Sequence, residues 1–167
     1  MTIDKRYRPV PNRDDHHCFA CGPRNPVGLG MKFYSDGTSV VSWVRVSAHL
    51  CGWDNLVHGG VVSTMLDEIM SWTLIHLLGK YILTKRIAVD FLKPLYVDTP
   101  LRAEGRIKET HGGREALVEG FITDEKRGLC ARSTGTFALL KPEIARRLKI
   151  MSPEAIDGFQ QLLEDQH

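Results

Sequence analysis

The feature that most constrains this chain is a long apolar run, Val61 to Leu78, that contains neither Gly nor Pro. A helix that is apolar over most of its circumference is normally buried in a protein core. Gly59 and Gly60 stand directly before the run, and glycines allow a tight backbone turn and the close approach of a ligand. The sequence therefore predicts a buried central helix that begins beside a glycine turn.

The N-terminal end of this helix is a predicted binding site for negative charge. Its first backbone N–H groups have no partner within the helix, and the helix dipole adds positive potential there. Such an end can hold an anion or an oxyanion that develops during a reaction.

Asp67 lies inside the apolar run, about two helical turns beyond the glycines. A carboxylate on a buried helix is costly unless it is paired, protonated or used in chemistry. Two interpretations are open from the run alone. Asp67 is either a hydrogen-bonded side chain at a wet edge, or a general base or nucleophile.

Composition predicts a single globular domain with no affinity for nucleic acid. The chain has 167 residues, of which 25% are charged and 43% hydrophobic, and its formal net charge is +2. Ser71, Thr73 and His76 interrupt the longest apolar run, so no membrane span is expected, and residues 1–13 lack a secretory signal. We expect a soluble, cytoplasmic protein without membrane or nucleic-acid partners.

Cys18 and Cys21 form a CxxC motif that follows His16 and His17. Metal binding, redox chemistry and a structural turn are all compatible with this motif. Zinc usually takes four ligands, and the chain has no second CxxC and no HxxxH. The motif leads into a segment rich in Gly and Pro rather than into a helix, which favours the turn. We therefore predict neither a metal nor a cofactor.

The order of elements predicts an α+β fold in which an antiparallel sheet curls around one long helix. Residues 1–15 are predicted to be a flexible leader, 16–140 the domain, and 141–167 a helical tail. An open sheet edge needs protection, which favours pairing with a second copy. Strands are predicted at 31–34, 40–46, 83–96, 101–110, 116–123 and 129–140, a loop at 49–55, a helix C-cap at Gly79, and surface helices at 142–149 and 153–164.

The Val-His-Gly-Gly motif at 57–60, followed by Leu-Asp-Glu at 66–68, resembles the hotdog-fold acyl-CoA thioesterases of the phenylacetate-degradation type. Residues 18–29 resemble the leader of one branch of that family, and residues 89–94 resemble its strand after the helix. The resemblance extends over residues 16–140. It implies a hotdog fold, assembly as a homodimer or homotetramer with active sites at the dimer interface, and acyl-CoA as substrate.

The resemblance also implies roles for residues of the motif. The Gly59 N–H faces the thioester oxygen, and Asp67 acts as nucleophile or as the base that activates water. Glu68 is the neighbouring candidate, and His58 is expected to order the turn. Asn55 is the candidate for a side chain that orients the water or the carbonyl.

Substrate contacts are implied less specifically. Some family members use a hydroxyl from the partner subunit's strand after the helix, which here is Thr84. Family members bind the CoA phosphates with Lys and Arg side chains, although for each such residue here a plain solvated charge is the favoured interpretation. The predicted contacts are Gly60, Thr84, Lys85, Arg86, Lys93 and Arg114. The acyl group is not predicted, because it depends on which of Trp53, Leu56, Met65, Met70, Trp72 and Phe91 line the pocket.

Three functions follow from these observations. Hydrolysis of an acyl-CoA thioester is the prediction. The alternative is a non-catalytic acyl-CoA-binding or regulatory module on the same fold. A hydratase is disfavoured, because hotdog hydratases pair an Asp with a His a few residues on, whereas here Glu68 stands on that side and His76 follows nine residues after Asp67.

Overall fold

The structure is a computed structural model, and it describes residues 5–126 and 128–164. The ends of the predicted leader and tail, residues 1–4 and 165–167, lie outside the described residues. In chain order the strands are β1 (Arg8–Pro9), β2 (Tyr34–Ser35), β3 (Val40–Arg45), β4 (Cys51–Trp53), β5 (Leu56–Val57), β6 (Tyr81–Phe91), β7 (Pro100–His111), β8 (Glu115–Thr123) and β9 (Leu129–Leu140). The α-helices are α1 (Gly59–Leu78), α2 (Pro142–Arg147) and α3 (Pro153–Glu164).

The central helix α1 is buried, as predicted. Met65, Leu66 and Ile69 have no exposed surface. Gly79 ends the helix in a left-handed conformation (φ 60°, ψ 38°), which confirms its predicted C-cap role. The helix begins at Gly59, two residues earlier than the apolar pattern indicates, because the preceding His58 caps it.

One antiparallel sheet wraps around this helix in the strand order β1-β2-β3-β7-β8-β9-β6, and β4 and β5 form a separate hairpin. Alternate residues of β8, among them Val118 and Ile122, are buried. Gly105 of β7 lies so close to the helix that a Cβ there would be 2.1 Å from Thr73 Oγ1. The predicted α+β architecture is confirmed.

Strand β6 is the outer strand of the described sheet at the end opposite β1. It pairs with β9 on one side only, and most of its side chains are exposed. Leu83 of β6 is 40% exposed and Phe91 is 57% exposed. A register irregularity between Thr84 and Arg86 bends the strand beside the helix.

The described part of the predicted leader, residues 5–15, is more ordered than the sequence predicts. Residues 5–15 were expected within a flexible leader, but β1 pairs with β2, and Tyr7 and Val10 are buried. The reason is long-range: the Tyr7 ring packs edge-on against Trp43 at 5.5 Å, and Arg102 donates a hydrogen bond to its hydroxyl at 3.1 Å.

Two further predictions in this part of the chain are corrected. The strand expected at 31–34 is confined to Tyr34–Ser35, while Met31 N–H donates to Ala20 in the loop instead. The loop expected at 49–55 contains a 3₁₀ turn and strand β4, which pairs with β5.

Two predictions for the part of the chain after the helix also differ from the structure. Strand β6 ends at Phe91 rather than Tyr96, because the N–H groups of Leu92 and Lys93 both donate to the Cys130 carbonyl and Pro94 follows. The tail helices are not merely on the surface: the Tyr81 hydroxyl donates to the Ile156 carbonyl at 2.8 Å, and Ile156 is buried.

Helix α1 is long and apolar enough to cross a membrane by length and composition, with a mean hydropathy of 1.2 over its most apolar window. This differs from the sequence expectation, in which Ser71, Thr73 and His76 interrupt the run. Half of that window is buried inside the domain, and the core helix of a folded domain meets the same criterion.

Candidate active site

The N-terminal end of α1 presents a backbone donor without a partner. His58 is the N-cap: its Nδ1 accepts from the Gly60 N–H at 2.9 Å, and its carbonyl accepts from Val61 and Val62. Among the hydrogen bonds of the described residues, none uses the Gly59 N–H, and Gly59 is exposed. This amide is therefore available to an oxyanion.

An open groove of about 290 Å³ lies beside this amide. Its lining includes Gly59, Val62, Phe91 and Lys93. A Cβ on Gly59 would meet the Phe91 ring at 3.7 Å, which is ordinary contact, so space alone does not require glycine here. Two of the predicted pocket residues, Leu56 and Phe91, line this groove.

Asp67 lies on the side of the helix that faces β6. The Thr84 hydroxyl donates to Asp67 Oδ1 at 2.9 Å. Burial raises the pKa of Asp67 above its ordinary value, the Thr84 bond opposes that shift, and the charge of Cys18 adds to it. The contact with Thr84 forms within one chain, whereas the resemblance assigns such a hydroxyl to the partner subunit.

Glu68, the next residue, points to a different neighbourhood. Trp72 Nε1 donates to Glu68 Oε1 at 3.0 Å, and Cys18 Sγ lies 3.8 Å from the same oxygen. Burial, followed by the charge of Cys18, raises the pKa of Glu68 to about 7. The interaction between the two thiols lowers the pKa of Cys18 and raises that of Cys21.

A second cavity, of about 340 Å³, opens on the Glu68 side of the helix. Cys21, Glu68 and Trp72 line it together with residues of the tail, among them Phe159. Of the other predicted pocket residues, Met65 and Met70 are closed within the core, and Trp53 is 80% exposed.

The remaining predicted site residues are spread along the surface. Lys85 forms an ion pair with Glu115, and Arg86 is exposed one residue further along β6. Asn55 lies in the turn between β4 and β5, where its carbonyl accepts from Val97 N–H at 3.0 Å. Arg114 lies in the β7–β8 turn.

Gly59 and Asp67 are too far apart to act on one carbonyl from the same chain. Eight residues separate them on α1, which corresponds to about 12 Å along the helix axis. A group that attacks a carbonyl approaches within about 3–3.5 Å, and an oxyanion donor within about 3 Å. Within one chain, Gly59 and Asp67 therefore do not form a single site.

The contacts of Glu68 with Cys18, Cys21 and Trp72 are not predicted from the sequence. The spacing of four residues between Glu68 and Trp72 was an available signal, since residues at that spacing meet on a helix surface. No local pattern relates Cys18 to Glu68, because fifty residues separate them.

Comparison with known proteins supports the fold. Residues 54–131 match the family model described as the thioesterase superfamily. This region contains the glycine turn, all of α1, and strands β5 to β8.

Two curated relatives are similar over part of the chain. MIOREX complex component 3 of Saccharomyces cerevisiae is 32% identical over 79 residues, which are 47% of this chain and 29% of that protein. The uncharacterized protein C26H8.11c of Schizosaccharomyces pombe is 30% identical over 109 residues, which are 60% of each chain. The match thus spans less than two thirds of either relative.

Solved structures share the architecture. Protein RHA08564, described as a thioesterase superfamily protein, superimposes with a TM-score of 0.66 and 26% identity over 73% of this chain and 60% of that one. The E. coli PaaI protein from the phenylacetic acid degradation operon gives 0.61 and 17% over 68% and 81%. A hypothetical thioesterase with coenzyme A from Streptococcus pneumoniae TIGR4 gives 0.58 and 21% over 62% and 80%. The chain therefore has the hotdog fold of the thioesterase superfamily.

Proposed function

We propose that this protein hydrolyses an acyl-CoA thioester to the free acid and CoA. The observation that carries the proposal is the partly buried Asp67 carboxylate of α1, which accepts a hydrogen bond from the Thr84 hydroxyl of β6. The same helix presents the Gly59 amide, which has no hydrogen-bond partner among the described residues. An oriented carboxylate can supply the nucleophile or base for hydrolysis of a carbonyl compound, and an available backbone donor can stabilise the oxyanion.

The proposed active site combines two protomers. Because Gly59 and Asp67 of one chain are about 12 Å apart along α1, Asp67 acts with the partner subunit's Gly59. Strand β6 supplies a surface for this pairing, since it is an exposed outer strand that carries Leu83 and Phe91 beside the site. A two-fold homodimer that joins the β6 edges covers these side chains and extends the sheet, and two such dimers would form a tetramer.

The chemistry follows from these groups. The Gly59 N–H stabilises the negative charge that develops on the thioester oxygen. The Asp67 carboxylate either attacks the carbonyl carbon, forming an anhydride that water then cleaves, or removes a proton from a water molecule that attacks instead. In both routes the carbon–sulfur bond breaks and CoA leaves as the thiolate.

Several observations support CoA as the leaving group. Lys93 lines the groove beside Gly59, and Arg86 is exposed on β6, so both cations are accessible to phosphates. The Streptococcus pneumoniae neighbour of the same fold is described with coenzyme A. The phenylacetate-degradation type is the finer assignment that we propose, on the motif at 57–68 and the fold shared with E. coli PaaI, and it favours an aromatic acyl group.

The direct test is release of free thiol from short-chain, long-chain and aromatic acyl-CoAs. Wild type is expected to turn over at least one of them, and Asp67→Asn to lose turnover by about 10²–10⁴-fold, because the amide neither attacks nor accepts a proton. Asp157→Asn, a change in the tail far from the glycine turn in sequence, serves as the matched control and is expected to retain turnover. Saturable binding of acyl-CoA without thiol release would instead support the non-catalytic module.

The two-protomer site has its own test. Gly59→Pro removes the N–H while keeping a residue suited to the first helical position, so the helix is expected to form. Asp67→Asn and Gly59→Pro are each expected to be inactive alone. A heterodimer of the two variants has one intact site, so refolding an equal mixture should restore about a quarter of wild-type activity. An inactive mixture, with heterodimers shown to be present, would contradict the shared site.

A further inference from the structure

A group of three metal-binding side chains lies beside the proposed active site and has no role in the hydrolysis. Cys18 Sγ, Cys21 Sγ and a Glu68 carboxylate oxygen all lie within 4.8 Å of one another. Cys18 Sγ is 3.8 Å from Glu68 Oε1 and 4.0 Å from Oε2. In a tetrahedral zinc site with Zn–S near 2.3 Å and Zn–O near 2.1 Å, neighbouring ligand atoms are about 3.6–3.8 Å apart. The group therefore already approaches the spacing of ligands around one ion.

Backbone hydrogen bonds fix the conformation of the loop that carries the two cysteines. The Gly22 N–H donates to the Cys18 carbonyl at 2.9 Å, and a Cβ on Gly22 would lie 2.3 Å from Cys18 N. Leu29 and Met31 fasten the loop from outside by donating to the carbonyls of Phe19 and Ala20, both at 2.9 Å. The CxxC spacing is typical of half a zinc site. The sequence alone showed no second half.

Glu68 supplies the missing donor from helix α1. It is partly buried on a largely apolar helix, and in the described part of the chain it forms no ion pair with Lys, Arg or His. Its shortest hydrogen bond comes from Trp72 Nε1 at 3.0 Å, and the Cys18 thiol donates to the same carboxylate at 3.8 Å, so the carboxylate is oriented toward the thiol. A partly buried carboxylate without a cation is costly in its charged form, whereas a divalent cation balances the charge of the carboxylate and of thiolates that bind beside it.

We propose that Cys18, Cys21 and Glu68 bind one Zn²⁺ ion. Thiolate sulfur favours zinc over Mg²⁺ or Ca²⁺, and binding releases the two thiol protons. The fourth position takes a water molecule from the 340 Å³ cavity, which Cys21 and Glu68 line. His16 is not a ligand, because its Nε2 lies 3.2 Å from Asn12 Oδ1 and its Nδ1 faces the Cys18 N–H. The ion joins the loop that carries Cys18 and Cys21 to Glu68 of α1, the residue after Asp67.

The test is a metal titration of the full-length protein without a histidine tag. The protein is reduced, stripped with a chelator, and titrated with Zn²⁺ against a chromophoric competitor. We expect one high-affinity Zn²⁺ per chain, and thiolate-to-metal charge-transfer absorption when Co²⁺ is used as the probe. Cys18→Ser, Cys21→Ser and Glu68→Gln are each expected to weaken Zn²⁺ binding by about 100-fold or more, since even loss of a residue that supports a ligand costs about 10–100-fold.

The chain provides matched controls. Cys51 is exposed and Cys130 is buried in the sheet, and neither belongs to the group, so Cys51→Ser and Cys130→Ser should keep full affinity. Absence of tight Zn²⁺ binding by the reduced wild type would overturn the proposal. So would a Cys18–Cys21 disulfide in the protein as isolated, seen as a mass lower by two hydrogens, or unchanged binding by a folded Glu68→Gln variant. Asp67→Asn should retain Zn²⁺ while losing turnover, so this site and the hydrolysis can fail independently.

Discussion

Asp67 and Glu68 are adjacent carboxylates on one helix, yet they belong to different regions of the molecule. Asp67 faces the outer strand β6, where it accepts a hydrogen bond from the exposed Thr84. Glu68 faces the loop that carries Cys18 and Cys21, and Cys18 Sγ lies 3.8 Å from its carboxylate. Trp72 of the same helix donates a hydrogen bond to Glu68. Consecutive residues are about 100° apart around a helix. Asp67 therefore faces the outer strand of the sheet, while Glu68 faces Cys18 and Cys21, with which we propose that it binds a metal ion.

The different neighbours of the two carboxylates are the reason why we propose different chemistry for them. Burial raises the pKa of both acids. Asp67 has a hydroxyl donor that favours its charged form, and this donor, Thr84, lies on the exposed strand β6. Glu68 has two thiols beside it, and the two sulfur atoms and its carboxylate lie close enough together to hold one metal ion. We therefore assign hydrolysis to Asp67 and metal binding to Glu68.

The largest expected effect separates the two acids by activity. Asp67→Asn should lower kcat by about 10²–10⁴-fold, because it removes the nucleophile or base. Glu68→Gln should lower kcat by less than about tenfold, since Glu68 acts on the position of the loop and not on the thioester. Steady-state thiol release from the best acyl-CoA measures both. Equal losses in two folded variants would remove the distinction.

The second prediction concerns stability with zinc. A ligand that binds only the folded state at a free concentration of 100 Kd stabilises it by about 2.7 kcal/mol. Wild type and Asp67→Asn should both gain this free energy of unfolding, whereas Glu68→Gln and Cys18→Ser should gain little. Thermal unfolding with and without Zn²⁺ provides the comparison. A gain that persists in Cys18→Ser would place the ion elsewhere.

Thr84→Val tests the Asp67 side at a smaller scale. It replaces the hydroxyl with a methyl group of similar shape and so removes the hydrogen bond to Oδ1. A hydrogen bond to a charged group contributes about 1.5–3 kcal/mol, so kcat/KM should fall by about 10- to 150-fold. Thr84→Ser keeps the donor and is expected to stay near wild type. If Ser and Val variants behave alike, the hydroxyl does not position Asp67.

Trp72→Phe is the corresponding small change on the Glu68 side. Phe retains an aromatic ring that can stack on Phe33, where the ring centroids are 4.8 Å apart, but it lacks the N–H that orients Glu68. The free energy of unfolding should fall by about 2–3 kcal/mol, because a hydrogen bond to a carboxylate is lost and the smaller ring leaves a cavity. The Zn²⁺ affinity should fall by about tenfold. Denaturant unfolding and the metal titration measure these two quantities. Unchanged Zn²⁺ affinity would show that Trp72 does not orient the ligand.

Much of the fold follows from local patterns. The apolar run predicts α1, Gly79 predicts its end, and the strands from β7 to β9 fall within one residue of their predicted bounds. The site is predictable where it depends on one stretch: the glycine turn and Asp67 lie within nine residues of His58. The errors lie in the leader, at 31–34, at 49–55 and at the end of β6. In the leader and at the end of β6, partners distant in sequence, Trp43 and Cys130, determine the structure.

The sequence by itself determined which faces of the elements are apolar, where the helix ends, and its start to within two residues, because periodicity and capping depend on residues a few positions apart. Only the tertiary structure decided what each face meets. Closure of the sheet around α1 brings Thr84 to Asp67 across 17 residues and Cys18 to Glu68 across 50. Such contacts result from packing and strand register, which no local spacing encodes.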